Sequence, residues 1–124
     1  MALEKRLRLR GRADFARLRA EGHTLQHRLL MLSYLPNEQG HNRYGLVVSR
    51  RIGKAVARNL IRRRLREILQ HRDPSIAYPK QTSDQSGNKG CDIVIIARTP
   101  IVDASYQEID EAVGDLLRRA RLLL

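Results

Sequence analysis

Residues 49–69, SRRIGKAVARNLIRRRLREIL, carry two patterns at once. From Lys54 to Gln70 the apolar residues Ala57, Ile61, Leu65, Ile68 and Leu69 recur at helical spacing and cover about one third of the circumference. A helix with that stripe is predicted to pack on a sheet. Beside the stripe, Arg58, Asn59, Arg62, Arg63 and Arg66 share about 140° of arc, so one flank of the helix is a basic ridge. Arg50, Arg51 and Lys54 precede it, at the end of a predicted strand and the start of the helix, where free backbone N–H groups also attract phosphate oxygens. A solvated helix face usually mixes charge signs. Here Glu67 is the only acid among the cations, and Arg58, Arg62 and Arg66 repel one another by roughly 0.2–0.5 kcal/mol per pair. The ridge is read either as a solvated charged face or, better, as a surface for a polyanion.

Composition supports the second reading. The chain has 124 residues, 24 Lys and Arg against 13 Asp and Glu, and a net charge of +11. Residues 1–70 hold 17 Lys and Arg against 5 acids, and residues 71–124 hold 7 against 8, so the whole excess lies in the first part. That charge exceeds what solubility needs and points to a nucleic acid. Arg outnumbers Lys there, which suits bidentate phosphate grips and stacking on bases. With 42% apolar residues, one Phe and no Trp, the core is predicted to be aliphatic. No apolar run of membrane-spanning length and no signal-peptide pattern occurs, so the protein is expected to be cytoplasmic. Cys91 is the only cysteine and is expected to be a small buried hydrophobe. His23 and His27 lack a third ligand nearby, and no metal site is assigned.

The chain is read as one domain, residues 1–124, with 1–11 as a basic arm and 71–90 as a flexible loop. Residues 13–20 are predicted to form a helix ending at Gly22, with Asp14 at its positive end and Phe15 and Arg19 on one face. Residues 28–35 and 44–49 read as strands joined in an antiparallel hairpin. Residues 92–98, DIVIIAR, read as a central strand buried on both faces, parallel to the second strand. Ser105 and Glu108 form a capping box ahead of a last helix whose stripe is Ile109, Val113, Leu116, Leu117 and Ala120. The expected class is α+β, a single-layer mixed sheet in the order αββαβα, with the helices on one face.

At SRRIGKAVARN, residues 49–59, the sequence resembles the bacterial ribonuclease P protein family, whose basic helix opens with an Arg-Asn-Arg motif. Arg58 and Asn59 fit the motif, and Leu60 replaces its third residue. RLRGRADFARLRAEG and IIARTP extend the likeness to the N-terminal segment and the third strand. The resemblance implies a left-handed βαβ crossover of the ribosomal protein S5 domain 2 type, against the usual handedness. It also implies two RNA surfaces. The ridge, with Arg50, Arg51, Lys54, Arg58, Asn59, Arg62, Arg63 and Arg66, faces the catalytic RNA. A cleft between the first helix and the sheet, with Phe15, Arg19 and Arg98, holds the single-stranded 5′ leader of precursor tRNA. Phe15 serves either as a stacking ring there or as ordinary core. Arg19 stands where the family often has a second aromatic. The family's strand-one tyrosine aligns with Ser33, while Tyr34 points to the other face.

A self-sufficient nuclease needs metal-binding carboxylates or an acid and base pair in one pocket. Asp14, Glu21, Glu38 and Glu67 lie on separate predicted elements, so no catalytic residue is assigned. The resemblance implies that the RNA supplies the catalytic site and its Mg²⁺, that the protein binds no cofactor of its own, and that the isolated protein is monomeric. Three rivals share parts of this pattern: a ribosomal or ribosome-assembly protein, a DNA-binding module reading a major groove with Arg58 and Asn59, and a protein-only nuclease.

Overall fold

The computed structural model describes residues 7–9, 11–77 and 90–123. Helix α1 (Arg12–Glu21) ends at Gly22, as its sequence predicts, and leads into strands β1 (His23–Gln26), β2 (Leu30–Pro36) and β3 (Arg43–Val47). A 3-10 turn, Arg50–Ile52, and Gly53 at φ 147 redirect the chain into α2 (Ala55–Arg72). That backbone angle is one only glycine adopts readily. Strand β4 (Cys91–Ala97) and helix α3 (Tyr106–Arg119) follow. The order is therefore αβββαβα, one strand more than expected.

The sheet order is β1-β2-β4-β3. The expected hairpin between the segments 28–35 and 44–49 does not exist: β4 lies between them, antiparallel to β2 and parallel to β3. The hairpin is instead β1 with β2, in which Thr24 faces Ser33. Burial explains the outcome. Six of the seven residues of β4 are buried and only Ile96 is partly exposed, so β4 has to sit inside the sheet with partners on both sides, as its continuous apolar run indicates.

Alternation divides the two faces. Leu30, Leu32, Tyr34, Tyr44, Leu46, Ile93, Ile95 and Ala97 point to one core, with Ile61, Leu65, Ile68 and Leu69 of α2 and Ile109, Val113, Leu116 and Leu117 of α3. Each fully buried aliphatic side chain among them contributes about 1.5–3 kcal/mol of transfer free energy. The predicted box caps α3: the Glu108 N–H donates to Ser105 Oγ at 3.1 Å and the Ser105 N–H to Glu108 Oε1 at 3.0 Å. On the other face Val94 and Ile96 meet Leu18 and Phe15 of α1, with Leu9 and Leu35. The helices thus occupy both faces, not one.

Two boundaries also shift. Leu7 and Leu9 are buried and the Leu9 N–H donates to the Tyr44 carbonyl at 2.8 Å, so part of the expected arm is packed structure. His71 and Arg72 complete α2 and the chain continues through a 3-10 turn to Ile76, which bridges Leu123, so residues 71–76 of the expected loop are packed structure. Residues 78–89 of the expected loop, and residues 1–6 and 10 of the arm, lie outside the described residues. Cys91 is fully buried as expected, and burial pushes its thiol up to about 12.

One ion pair ties these elements together. Arg43 Nε and Nη2 donate to the two carboxylate oxygens of Asp92 at 2.9 and 2.8 Å, directly across the β3–β4 register. Asn37 Nδ2 donates to the same carboxylate at 2.7 Å, and Arg43 Nη1 lies 3.4 Å from Asp14 of α1. The Asp92 carboxylate holds the Arg43 pKa above its ordinary value. Asp92→Ala leaves a partly buried guanidinium short of its main partner and is expected to cost about 1.5–3 kcal/mol, measured by urea denaturation. Replacing both partners by apolar residues is expected to cost less.

Candidate nucleic-acid interface

The register places Thr24, Ser33, Val94 and Gly45 in one row across all four strands, on the face that α1 crosses. The next row on that face is Met31, Ile96 and Val47. With Phe15, Leu18 and Arg19 of α1, these residues other than Gly45 line a cleft of about 210 Å³ between helix and sheet. Its floor is aliphatic, and its polar groups are the Arg19 guanidinium and the Thr24 and Ser33 hydroxyls, which bond each other at 2.9 Å. Phe15 and Arg19 also line a wider groove of about 540 Å³ on the outer side of α1. Tyr34 packs on the opposite face, against the core and the His23 ring, at 5.3 Å between centroids.

Gly45 explains how Phe15 is seated. A Cβ at Gly45 would stand 2.7 and 2.9 Å from two ring carbons of Phe15, so the ring rests directly on the backbone of β3. Phe15 is half-buried, covering the sheet with one side and edging the cleft with the other. A glycine inside a strand that is otherwise aliphatic and aromatic, YGLVV, is the signal for such a close approach. The floor residues Met31, Ser33, Val47, Val94 and Ile96 were equally within reach of strand alternation, once the strands were paired correctly.

The ridge forms as its spacing predicts. Arg58, Asn59, Arg62, Arg63 and Arg66 run along one flank of α2, beside the buried stripe, and Arg50, Arg51 and Lys54 are exposed at its start. Arg62 reaches the Val48 carbonyl and Asn59 Oδ1, each at 3.3 Å, and both acceptors are neutral. The buried Nε of Arg58 has no partner among the described residues. Nor, among those residues, does any of these cations form an ion pair. Leu60 is half-buried. Arg98, in contrast, is not brought to the cleft: it is exposed past the end of β4 and Nη1 donates to the His27 carbonyl at 3.3 Å.

Among the described residues no group of three or more His, Cys, Asp or Glu is arranged to hold a metal ion, and no helix is long and apolar enough to cross a membrane. The His27 ring is engaged locally, with Nδ1 accepting from the Leu29 N–H at 3.0 Å.

An arginine flank with no ion pair among the described residues thus lies beside an apolar cleft edged by an aromatic ring, an arrangement that suits a polyanion. The family model described as Ribonuclease P matches residues 3–121. The chain belongs to the ribonuclease P protein family. The ribonuclease P protein component of Chloroflexus aurantiacus is 37% identical over 122 residues, covering 98% of this chain and 82% of that protein. That of Roseiflexus castenholzii is 35% identical, covering 95% and 88%. A Staphylococcus aureus RNase P protein mutant, described as defective in mRNA degradation, superposes with a TM-score of 0.82 at 29% identity, covering 97% and 92%. The RNase P protein of Thermotoga maritima gives 0.75 at 33% identity, covering 90% and 96%. As a member of the ribonuclease P protein family, the chain is an RNA-binding subunit of an endoribonuclease complex and acts with the RNA subunit in tRNA 5′ processing.

Gly45→Ala pushes the Phe15 ring off β3. It is expected to lower stability by about 1–3 kcal/mol and to shift the Phe15 ring resonances in NMR spectra, with β4 resonances near Val94 following. Unchanged ring shifts would show that the ring is not seated on the glycine.

Proposed function

We propose that the two surfaces divide the work of the holoenzyme: the ridge of α2 with Arg50, Arg51 and Lys54 binds the catalytic RNA, and the cleft under α1 takes the single-stranded 5′ leader of precursor tRNA. The observation that carries this reading is the set of unpaired cations on one flank, beside a cleft edged by Phe15 and Arg19. Arg98 has a place in it only if its bond to the His27 carbonyl is exchanged for RNA.

In this reading the protein supplies binding and electrostatics, and the RNA supplies the catalytic site with its Mg²⁺. The reaction is hydrolysis of one phosphodiester at the leader junction, leaving a 5′ phosphate on the tRNA. Two RNAs repel each other on approach, and guanidinium groups between them lower that repulsion. Each neutralised phosphate contributes a log-log salt slope of about −0.7 to −0.9. Cleavage removes the leader and with it the part of the binding that mature tRNA cannot make, which favours product release. The protein works as a monomer that binds no cofactor of its own, in the cytoplasm.

Reconstitution tests the reading. Cleavage of a precursor tRNA at near-physiological Mg²⁺ is expected with catalytic RNA and protein together and not with the protein alone; cleavage by the protein alone, or no gain on adding it, overturns the reading. Arg58→Ala, Arg62→Ala and Arg66→Ala combined are expected to weaken holoenzyme assembly and flatten its salt slope by about 1 for each phosphate no longer neutralised, with the circular dichroism spectrum unchanged. Phe15→Ala is expected to weaken binding of leader-bearing substrate more than binding of the catalytic RNA. Equal losses assign Phe15 to the core alone.

A further inference from the structure

Phe15 edges a third cavity besides the cleft and the outer groove. This one, about 180 Å³, lies at the outer edge of β3, and its walls include Arg8 of the N-terminal segment, Gly45 of β3, and Arg62 and Arg66 of α2. Three guanidinium groups from two separate parts of the chain converge there, and no carboxylate of the described residues lines it. The Leu9 N–H bond to the Tyr44 carbonyl holds the N-terminal segment along β3 and so brings Arg8 to the corner. The bonds of Arg62 to the Val48 carbonyl and Asn59 hold its guanidinium over the end of β3 without neutralising it. Arg62 and Arg66 are one helical turn apart, about 6 Å along the axis, a step that suits successive phosphates of an extended strand.

We propose that Arg8, Arg62 and Arg66 form a phosphate-binding corner that carries one RNA strand out of the cleft, around Phe15, and onto the flank of α2. The inference rests on the leader reading of the cleft and extends it: leader nucleotides and ridge are in direct contact. Arg62 and Arg66 then touch the leader strand as well as the catalytic RNA, while Arg50, Arg51, Lys54, Arg58 and Arg63 face the catalytic RNA alone. The occupant is single-stranded because the corner joins a cleft too narrow for a duplex to a groove edged by one aromatic ring, and because successive bases of an unpaired strand can rest on Phe15 while their phosphates meet the arginines.

The test uses the full chain, without catalytic RNA, and an unpaired RNA of about six nucleotides, with affinity followed by fluorescence anisotropy across a salt series. Arg66→Ala is expected to lower affinity several-fold and to reduce the log-log salt slope by about 0.7. Arg118→Ala removes the same charge from an exposed position on α3 and serves as the control; it is expected to change neither quantity appreciably. If Phe15→Ala weakens binding while Arg66→Ala behaves like Arg118→Ala, the corner is refuted, the ridge belongs to the catalytic RNA alone, and the cleft reading survives. If neither Phe15→Ala nor Arg66→Ala matters, the cleft reading falls together with the corner.

Discussion

The buried carboxylate of Asp92 is the constraint on which the remainder of the structure depends. It is 2% exposed at the start of the central strand, so it requires a cation within hydrogen-bonding reach, and Arg43 meets it with two nearly parallel bonds. A one-residue slip of β3 against β4 would turn Arg43 into the aliphatic core and leave Asp92 unpaired. The same register that satisfies the carboxylate sets Gly45 beside Val94, where Phe15 rests, and the contact of Arg43 with Asp14 fixes α1 above that row. Width and floor of the cleft therefore follow from where one charge is neutralised.

Helix α2 shows what neutralisation looks like when folding uses it. On its α3 side, Arg72 pairs with Asp110 at 2.8 Å and Arg64 reaches the Ala104 carbonyl. On the other flank, Arg58, Arg62, Arg63 and Arg66 form no ion pair among the described residues. The two flanks belong to one helix and see the same solvent, so the contrast reflects the neighbours each flank is given. Self-repulsion along the free flank costs little, a few tenths of a kcal/mol for each pair by the usual scale of about 0.2–0.5, and is recovered when phosphates bind. Exposed ion pairs with acids would offer little stability in exchange and would have to be broken for RNA.

Helices were legible from the sequence because their period is local. The stripe of α2, the Gly22 stop of α1 and the capping box of α3 all stand where spacing and cap chemistry put them. Strand pairing was not legible, because adjacency in sequence favours joining β2 to β3 and only the burial demand of β4 separates them. Strand β1, four residues long and mostly exposed, carries no apolar alternation to announce it. The ridge was readable for the same reason as its helix. The cleft was readable only in Phe15 and Arg19, since its floor comes from four strands whose order had first to be known. Arg98 went astray because likeness in sequence gives a position in the chain and not the direction of a side chain.

Seating an aromatic ring on a strand backbone has a consequence for recognition. A ring on a flexible surface loses rotamer freedom when a base stacks on it, and part of the stacking energy is spent on that loss. Phe15 is held before any ligand arrives, by Gly45 beneath it and by the α1 helix, itself anchored through Asp14 and Arg43. The arginines beside it, Arg8, Arg62 and Arg66, are partly exposed, and a guanidinium grips a phosphate whatever base it carries. A seated aromatic platform with cations beside it binds unpaired RNA with little demand on sequence. That is what a protein must do if its substrates share an unpaired 5′ extension and differ in what the extension spells.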